Sequence, residues 1–212
     1  AEPGGWGPRQ VQSLAVWLRT AGLVDSSGAP TALYRLFQAS WPESGLAWEL
    51  LWANVCLRWP TARWYVMACG LGAWSTPELK AALQTAAPRL AEHTVHNAIL
   101  ELAGLLERTP VGDELRQGRV ERAGAGRRVT REGLPHPDAL ALAYAAQQLL
   151  LSVGRADLYL WEEHPWPWTI YGARLDDAAT DLATGLFPWL VVDEHALRCT
   201  VSMEALRDVA LF

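Results

Sequence analysis

Apolar residues recur at helical spacing along most of the chain. Within residues 8–21, Val11, Leu14, Leu18 and Ala21 fall at i, i+3, i+7 and i+10, which predicts an amphipathic helix with Pro8 in its first turn and Gly22 just past its end. Leu23-Val24 followed by Asp25-Ser-Ser-Gly28 reads as a short strand and a turn. A second short helix is expected over 31–38, with Leu33, Leu36 and Phe37 apolar. Residues 45–59 are apolar around nearly the whole circumference, the pattern of a central helix. Pro60 ends it, and residues 61–70 read as another helix. Ser75-Thr-Pro-Glu78 is a helix start, with a hydroxyl cap, Pro in the first turn and an acid at the positive end of the dipole. That helix runs to about Ala87, before Pro88. Residues 91–107 form the next, with Val95, Ile99, Leu102 and Leu106 on one face.

The texture then changes. Residues 112–133 hold six Arg and five Gly. Residues 119–122 and 127–130 flank Ala123-Gly-Ala-Gly126, which reads as a hairpin with a glycine tip. Residues 138–153 are a helix entered through Pro135-His-Pro137, and a turn-rich stretch follows at 161–168. In the last unit, 175–186 is helical, 189–192 and 197–201 pair as strands, and 202–211 closes as a helix. No tandem repeat of fixed period is visible. The expected fold is mainly α with short β-hairpins, arranged as winged helix-turn-helix-like units around a Trp-rich helical core. Three regions are expected: an N-terminal helical unit at 1–74, a winged helix-turn-helix with a basic hairpin at 75–134, and a C-terminal helical unit with a short hairpin at 135–212. The first and last regions each carry part of the same helix–strand–helix order.

Composition sharpens this. Half of the residues are apolar and 19% are charged, which excludes a disordered chain. No apolar run reaches the ~20 residues a membrane helix needs. The first ten residues lack the basic-then-apolar layout of a signal peptide, and the three cysteines, Cys56, Cys69 and Cys199, show no CxxC spacing. A reducing, cytoplasmic setting is therefore expected, with the thiols buried and structural. Opening on Ala1-Glu-Pro3 rather than Met, the sequence reads as a domain of a longer chain. The net charge of −5 hides a polarity. Residues 116–131 carry six Arg against Glu121, a net +5, while residues 156–212 carry ten acids against three Arg, a net −7.

The basic hairpin is the strongest candidate site. Arg116, Arg119, Arg122, Arg127, Arg128 and Arg131 are placed to neutralise DNA phosphates, with Arg89 and Asn97 as the residues of the preceding helix suited to base edges. The competing reading is a solvated hairpin, or one docked on an acidic partner or on the chain's own acidic half. Against major-groove reading, the 91–107 helix also exposes His93 and the carboxylates Glu92, Glu101 and Glu107, and the carboxylates repel phosphates. His93 and His96, three apart, have no third ligand in sequence, so no metal is expected. The phosphate-cradling GxxxxGK[ST], GxSxG and HExxH patterns are missing. Asp176-Asp177 and Glu162-Glu163 read as caps and solvated loops. No enzyme and no cofactor are expected. Of the twelve Trp, Trp17, Trp48, Trp52, Trp59 and Trp64 lie on apolar helices and read as core. Trp41, Trp74, Trp161, Trp166, Trp168 and Trp189 lie at turns, as gap-filling rings or as interface anchors.

Several segments carry a resemblance. Residues 7–24 (GPRQVQSLAVWLRTAGLV), Thr31-Ala-Leu-Tyr-Arg-Leu36, Trp48-Glu-Leu-Leu-Trp52 and Ala62-Arg-Trp-Tyr65 occur in that order. Together they resemble a winged-helix-like family encoded in bacterial DNA-phosphorothioation and phage-defence islands, often beside phosphoadenosine-phosphosulfate-reductase-like proteins. The family's opening is G-x-x-x-V-x-S-[IL]-x-x-W-L-x-A-x-G-L-[IV], followed by a threonine-led helix, a W-L-L-H-W helix and a T-W-Y segment. The match covers about a third of the chain. Tyr34 stands where the family has Gly, and Trp52 stands near its His. The resemblance implies a helical accessory protein of a DNA-modification or defence system, with other subunits of that complex as partners and no catalytic residues carried over. A small helical subunit of a BREX-type defence system is a related reading.

Overall fold

The computed structural model describes residues 7–40, 44–123, 126–183 and 185–211. Helix α1 (Pro8–Thr20) starts at Gly7 with Pro8 in its first turn. Gly22, at φ +74°, follows it, and a Cβ there would sit 2.5 Å from the Asn54 amide. Only glycine fits that left-handed, crowded position. Val24 and Pro30 form an isolated bridge around the Asp25 turn, as the Leu23-Val24 pattern anticipates. Helix α2 (Ala32–Ser40) leads to α3 (Gly45–Arg58), capped where the Ser44 hydroxyl accepts from the Ala47 N–H. Residues 47–56 of α3 are all buried, so its uniform apolar surface does mark the centre of the protein.

The helix expected over 61–70 is two pieces. Helix α4 (Pro60–Trp64) widens into a π-helical turn, Tyr65–Cys69, that ends at Gly70. Strand β1 (Gly72–Ser75) follows, unanticipated because four residues, Gly-Ala-Trp-Ser, carry no usable alternation. Next come α5 (Thr76–Ala86), with the reciprocal Ser75/Glu78 capping box, and α6 (Glu92–Arg108). The hairpin β2 (Arg119–Ala123) and β3 (Gly126–Arg131) pairs with β1 in the order β1-β3-β2, with Trp74 and Val120 both opposite Val129. The expected boundary at 74/75 thus falls inside a strand of this sheet. Residues 124 and 125 of the expected hairpin tip lie outside the described residues, as does Trp41.

The remainder has the same connectivity. Helix α7 (Ala139–Val153) precedes β4 (Asp157–Tyr159), α8 (Pro167–Tyr171), α9 (Leu175–Leu182), β5 (Leu190–Val192) and β6 (Ala196–Cys199), with α10 (Met203–Asp208) last. The sheet order is β4-β6-β5. In both sheets a lone strand is followed by two helices and then a hairpin, whose second strand lies in the middle. This is a repeat of topology without a repeat of sequence. Strand β4 and helix α8 were not legible from the sequence, each being five residues or fewer. Helix α9 stops at Leu182 rather than near 186.

One continuous core, running from Ala21 to Leu206, joins these elements. Helix α3 packs on α7 and α8, with Asn54 bonded to the Tyr144 hydroxyl and to the Ala21 carbonyl. Trp48, Trp52, Trp166, Trp168 and Trp189 are buried, so three of the turn tryptophans are gap-filling core. Among the described residues, no helix is long and apolar enough to cross a membrane.

Two junctions between the halves are testable. Gly133 (φ +82°) and Gly172 (φ +73°) press backbone to backbone, and a Cβ on Gly133 would lie 2.6 Å from the Gly172 oxygen. Gly133→Ala is expected to cost about 2–3 kcal/mol in urea unfolding; an unchanged midpoint would show that the junction yields. The other is Glu49, 7% exposed, whose carboxylate accepts the Asp138 N–H at 2.8 Å. Burial pushes its pKa up to about 7 from an ordinary 4.5, with the nearby Asp138 charge adding to the rise. The folded state therefore holds a proton that the unfolded chain releases, and stability falls as pH rises from about 4.5 through 7. Glu49→Gln removes that loss, which is on the order of 3 kcal/mol at most. The Tm of the variant relative to the parent should rise between pH 5 and pH 8, and a pH-independent difference would contradict this.

Candidate nucleic-acid interface

Strand alternation decides where the arginines of the hairpin go. Arg119 faces Thr130, and Glu121 faces Arg128, on the outer side of the sheet. Val120 faces Val129, and Arg122 faces Arg127, on the side that holds the core. The basic cluster that is contiguous in sequence is thus divided between two faces. On the inner face the burial deepens from the tip inward. Arg122 is exposed, Arg127 half-buried, Val129 fully buried and Arg131 2% exposed.

Arg131 is therefore buried and is not a phosphate contact, contrary to the expectation from its place in the basic run. All five of its N–H donors are used inside the protein. Nε donates to the Gln117 side-chain oxygen, Nη1 to the Val66 and Gly70 carbonyls, and Nη2 to the Thr169 and Ile170 carbonyls, at 2.8–3.2 Å. The Val66 and Gly70 acceptors belong to the π-helical turn and its end, where helical carbonyls lack partners. The Tyr65 ring lies 5.7 Å from the guanidinium carbon. Desolvation lowers the Arg131 pKa, yet a guanidinium remains protonated at neutral pH. Gln117, itself fully buried, extends the network by donating to the Leu115 and Tyr171 carbonyls. Gln117 had no signal in the sequence beyond its place beside the arginines.

Three of the remaining arginines have carboxylate partners. Arg116 lies at φ +55° and binds Glu132 through Nε and Nη2 at 3.0 and 2.5 Å. That hydrogen bond is the main cause holding the Glu132 carboxyl below its ordinary pKa. Arg119 pairs with Glu121 at 3.1 Å, and Arg127 with Glu107 of α6 at 3.2 Å. All of these groups are 41–56% exposed, so the pairs contribute little stability and exchange readily for other anions. Arg122 and Arg128 are exposed and have no ion pair among the described residues. Arg128 lies close enough to Glu78 to help lower its pKa, behind the larger effect of the Ser75 N–H and hydroxyl bonds.

The two residues named outside the hairpin are both exposed. Arg89 lies in the turn before α6, and Asn97 lies on the outer face of α6. That face also presents Glu92, His93, Leu100, Glu101 and Glu107, so Asn97 sits among carboxylates. His96 is half-buried and His93 meets the Thr94 hydroxyl at 3.4 Å. Among the described residues, no three His, Cys, Asp or Glu converge to hold a metal ion. Cys56 and Cys199 are buried and Cys69 is half-buried, all as free thiols. Burial pushes the Cys69 pKa up to about 11, which leaves the thiol unreactive. Comparison with known proteins adds no relative: no family model, curated protein or solved structure matches the chain.

The contrast between buried and exposed arginines predicts opposite mutational outcomes. Arg131→Lys keeps the charge but supplies three donors to five acceptors, and is expected to cost about 3 kcal/mol or more. Arg122→Ala with Arg128→Ala should change stability by under ~1 kcal/mol in total. Urea titrations of both variants check this. Equal destabilisation would contradict the placement of Arg131.

Proposed function

We propose that this protein is a non-catalytic accessory protein that docks on the DNA backbone through the β2–β3 hairpin, as part of a bacterial DNA-modification or phage-defence complex in the cytoplasm. The carrying observation is that β1, α5, α6, β2 and β3 follow one another in the order of a winged helix-turn-helix, with sheet order β1-β3-β2. At the hairpin, Arg122 and Arg128 are exposed and form no ion pair among the described residues. Arg116, Arg119 and Arg127 stand beside them in solvent-exposed ion pairs that phosphates can displace. Arg89 stands apart from the hairpin, before the start of α6, whereas Arg127 pairs with Glu107 near that helix's end. The contact is electrostatic and indifferent to sequence, because the exposed carboxylates of α6 oppose its insertion into the major groove.

The same proposal places the partner subunits elsewhere. The β4–α8–α9–β5–β6 unit repeats the topology with the opposite charge. Its second helix bears Asp176, Asp177 and Asp181, and its hairpin turn bears Asp193 and Glu194. That unit is unsuited to DNA and suited to protein. This observation also favours a second reading, in which the protein is a scaffold subunit with no nucleic-acid contact and its basic hairpin meets an acidic partner.

A mobility-shift series on duplex DNA across salt concentrations separates the two. Binding should weaken steeply between about 50 and 200 mM salt, and Arg122→Ala with Arg128→Ala should flatten the log–log slope by roughly 2 units. Absence of any shift at about 50 mM salt would reject DNA docking and leave the scaffold reading.

A further inference from the structure

In the acidic unit, Trp161 is 72% exposed, the most exposed large apolar side chain among the described residues. It stacks on Tyr159 with ring centroids 4.4 Å apart and planes 11° from parallel. One face of the indole is therefore covered by Tyr159 and the other is open. A rigid, pre-stacked aromatic with a free face contrasts with Trp166, Trp168 and Trp189, which are all buried. We propose that this Tyr159–Trp161 platform and the carboxylates beside it form a docking surface for an arginine-rich segment of a protein partner.

The backbone brings the carboxylates to the platform. The Leu160 N–H donates to the His195 carbonyl at 2.8 Å, and Tyr159 is opposite Ala196 in the sheet. The Asp193–His195 turn therefore lies against residues 159–161. Glu162 turns back to accept from the Tyr159 N–H. Glu162 and Asp193 are both held below their ordinary pKa, the first chiefly by Arg155 and the second chiefly by the His195 N–H, so both are ionised at neutral pH. The two arginines of this surface are already engaged. Arg155 meets Glu162 at 2.8 Å, and Arg198 meets Asp157 and Asp193 at 3.7 and 3.4 Å. Glu163 and Glu194 are exposed and have no ion pair among the described residues. The surface is left with uncompensated negative charge around an open aromatic face. Beside it, Glu162, Glu163 and His164 line one wall of a cleft of about 370 Å3, with Met67 and Ala68 of the π-helical turn on the other.

That combination selects a ligand. An indole face attracts cations through its quadrupole, and a guanidinium stacked there can also fork onto a carboxylate. Nucleobases stack on tryptophan too, but the phosphates they carry are repelled by this rim. Charge complementarity therefore favours a basic peptide.

The test uses the full chain and a blocked dodecapeptide of alternating arginine and glycine, followed by calorimetry and by tryptophan emission. Binding is expected to weaken with salt. Trp161→Ala should weaken it about ten-fold or more, as for an aromatic interface anchor, and Trp161→Phe should lose less. Glu163→Gln with Glu194→Gln should weaken binding several-fold and reduce its salt dependence, while Arg122→Ala with Arg128→Ala should leave it unchanged. All of these positions are exposed, so the variants are expected to melt like the parent. Peptide binding that is absent, or indifferent to Trp161, would overturn the proposal. So would oligothymidylate binding that depends on Trp161. Self-association abolished both by Trp161→Ala and by the Arg122/Arg128 double variant would also overturn it, by making the hairpin of a second copy the occupant.

Discussion

A guanidinium buried without a carboxylate is the constraint around which this protein is arranged. Removing a cation from water costs several kcal/mol after relaxation. Five hydrogen bonds from a charged donor return about 1.5–3 kcal/mol each. Burial of the cation is tolerated only because all five donors are bonded. What it adds is a geometric demand, because every acceptor must be in place or the cation is stranded. The acceptors come from the π-helical turn, from the loop before β2 and from α8. The Ile170 carbonyl also receives the Trp52 indole N–H from α3. One side chain therefore sets the first sheet, the central helix and the start of the second unit in a single relationship, and the Gly133–Gly172 contact beside it closes the gap.

With the units held this way, opposite charges occupy matching topologies. The first hairpin is basic and the second is acidic, and the helix ahead of each carries carboxylates. Neither helix is therefore suited to groove reading. The hairpin of the first unit retains electrostatic reach toward a polyanion. The second unit instead carries carboxylates around an exposed aromatic platform. On the proposed reading, one anion-seeking and one cation-seeking surface suit an adaptor. Of the buried polar side chains among the described residues, Glu49, Asn54, Gln117, Arg131 and Gln147 each hydrogen-bond to another element.

The helices were legible because their periodicity is long. Ten buried residues of α3, or the Val95, Ile99, Leu102 and Leu106 stripe of α6, leave a pattern that a window of the sequence detects. Strands β1 and β4 were not legible, since three or four residues paired only to distant partners have no local signature. The π-helical turn was also invisible, and the carbonyls at Val66 and Gly70 are bonded by Arg131, more than sixty residues away.

The basic hairpin shows the division most clearly. Sequence alone determined that six arginines lie within sixteen residues, that they flank a glycine tip and that the charge is balanced by an acidic C-terminal half. It also determined that the tryptophans divide between helices and turns. Only the tertiary structure decided which arginines face water, because strand pairing alternates side chains between two faces and the core claims one of them. The same residue type at neighbouring positions becomes an internal clamp at Arg131 and a solvent-facing cation at Arg128. Likewise Trp161 and Trp166, five residues apart in one turn-rich segment, end respectively on the surface and in the core. Burial is set by what packs from elsewhere in the chain, and no local pattern contains it.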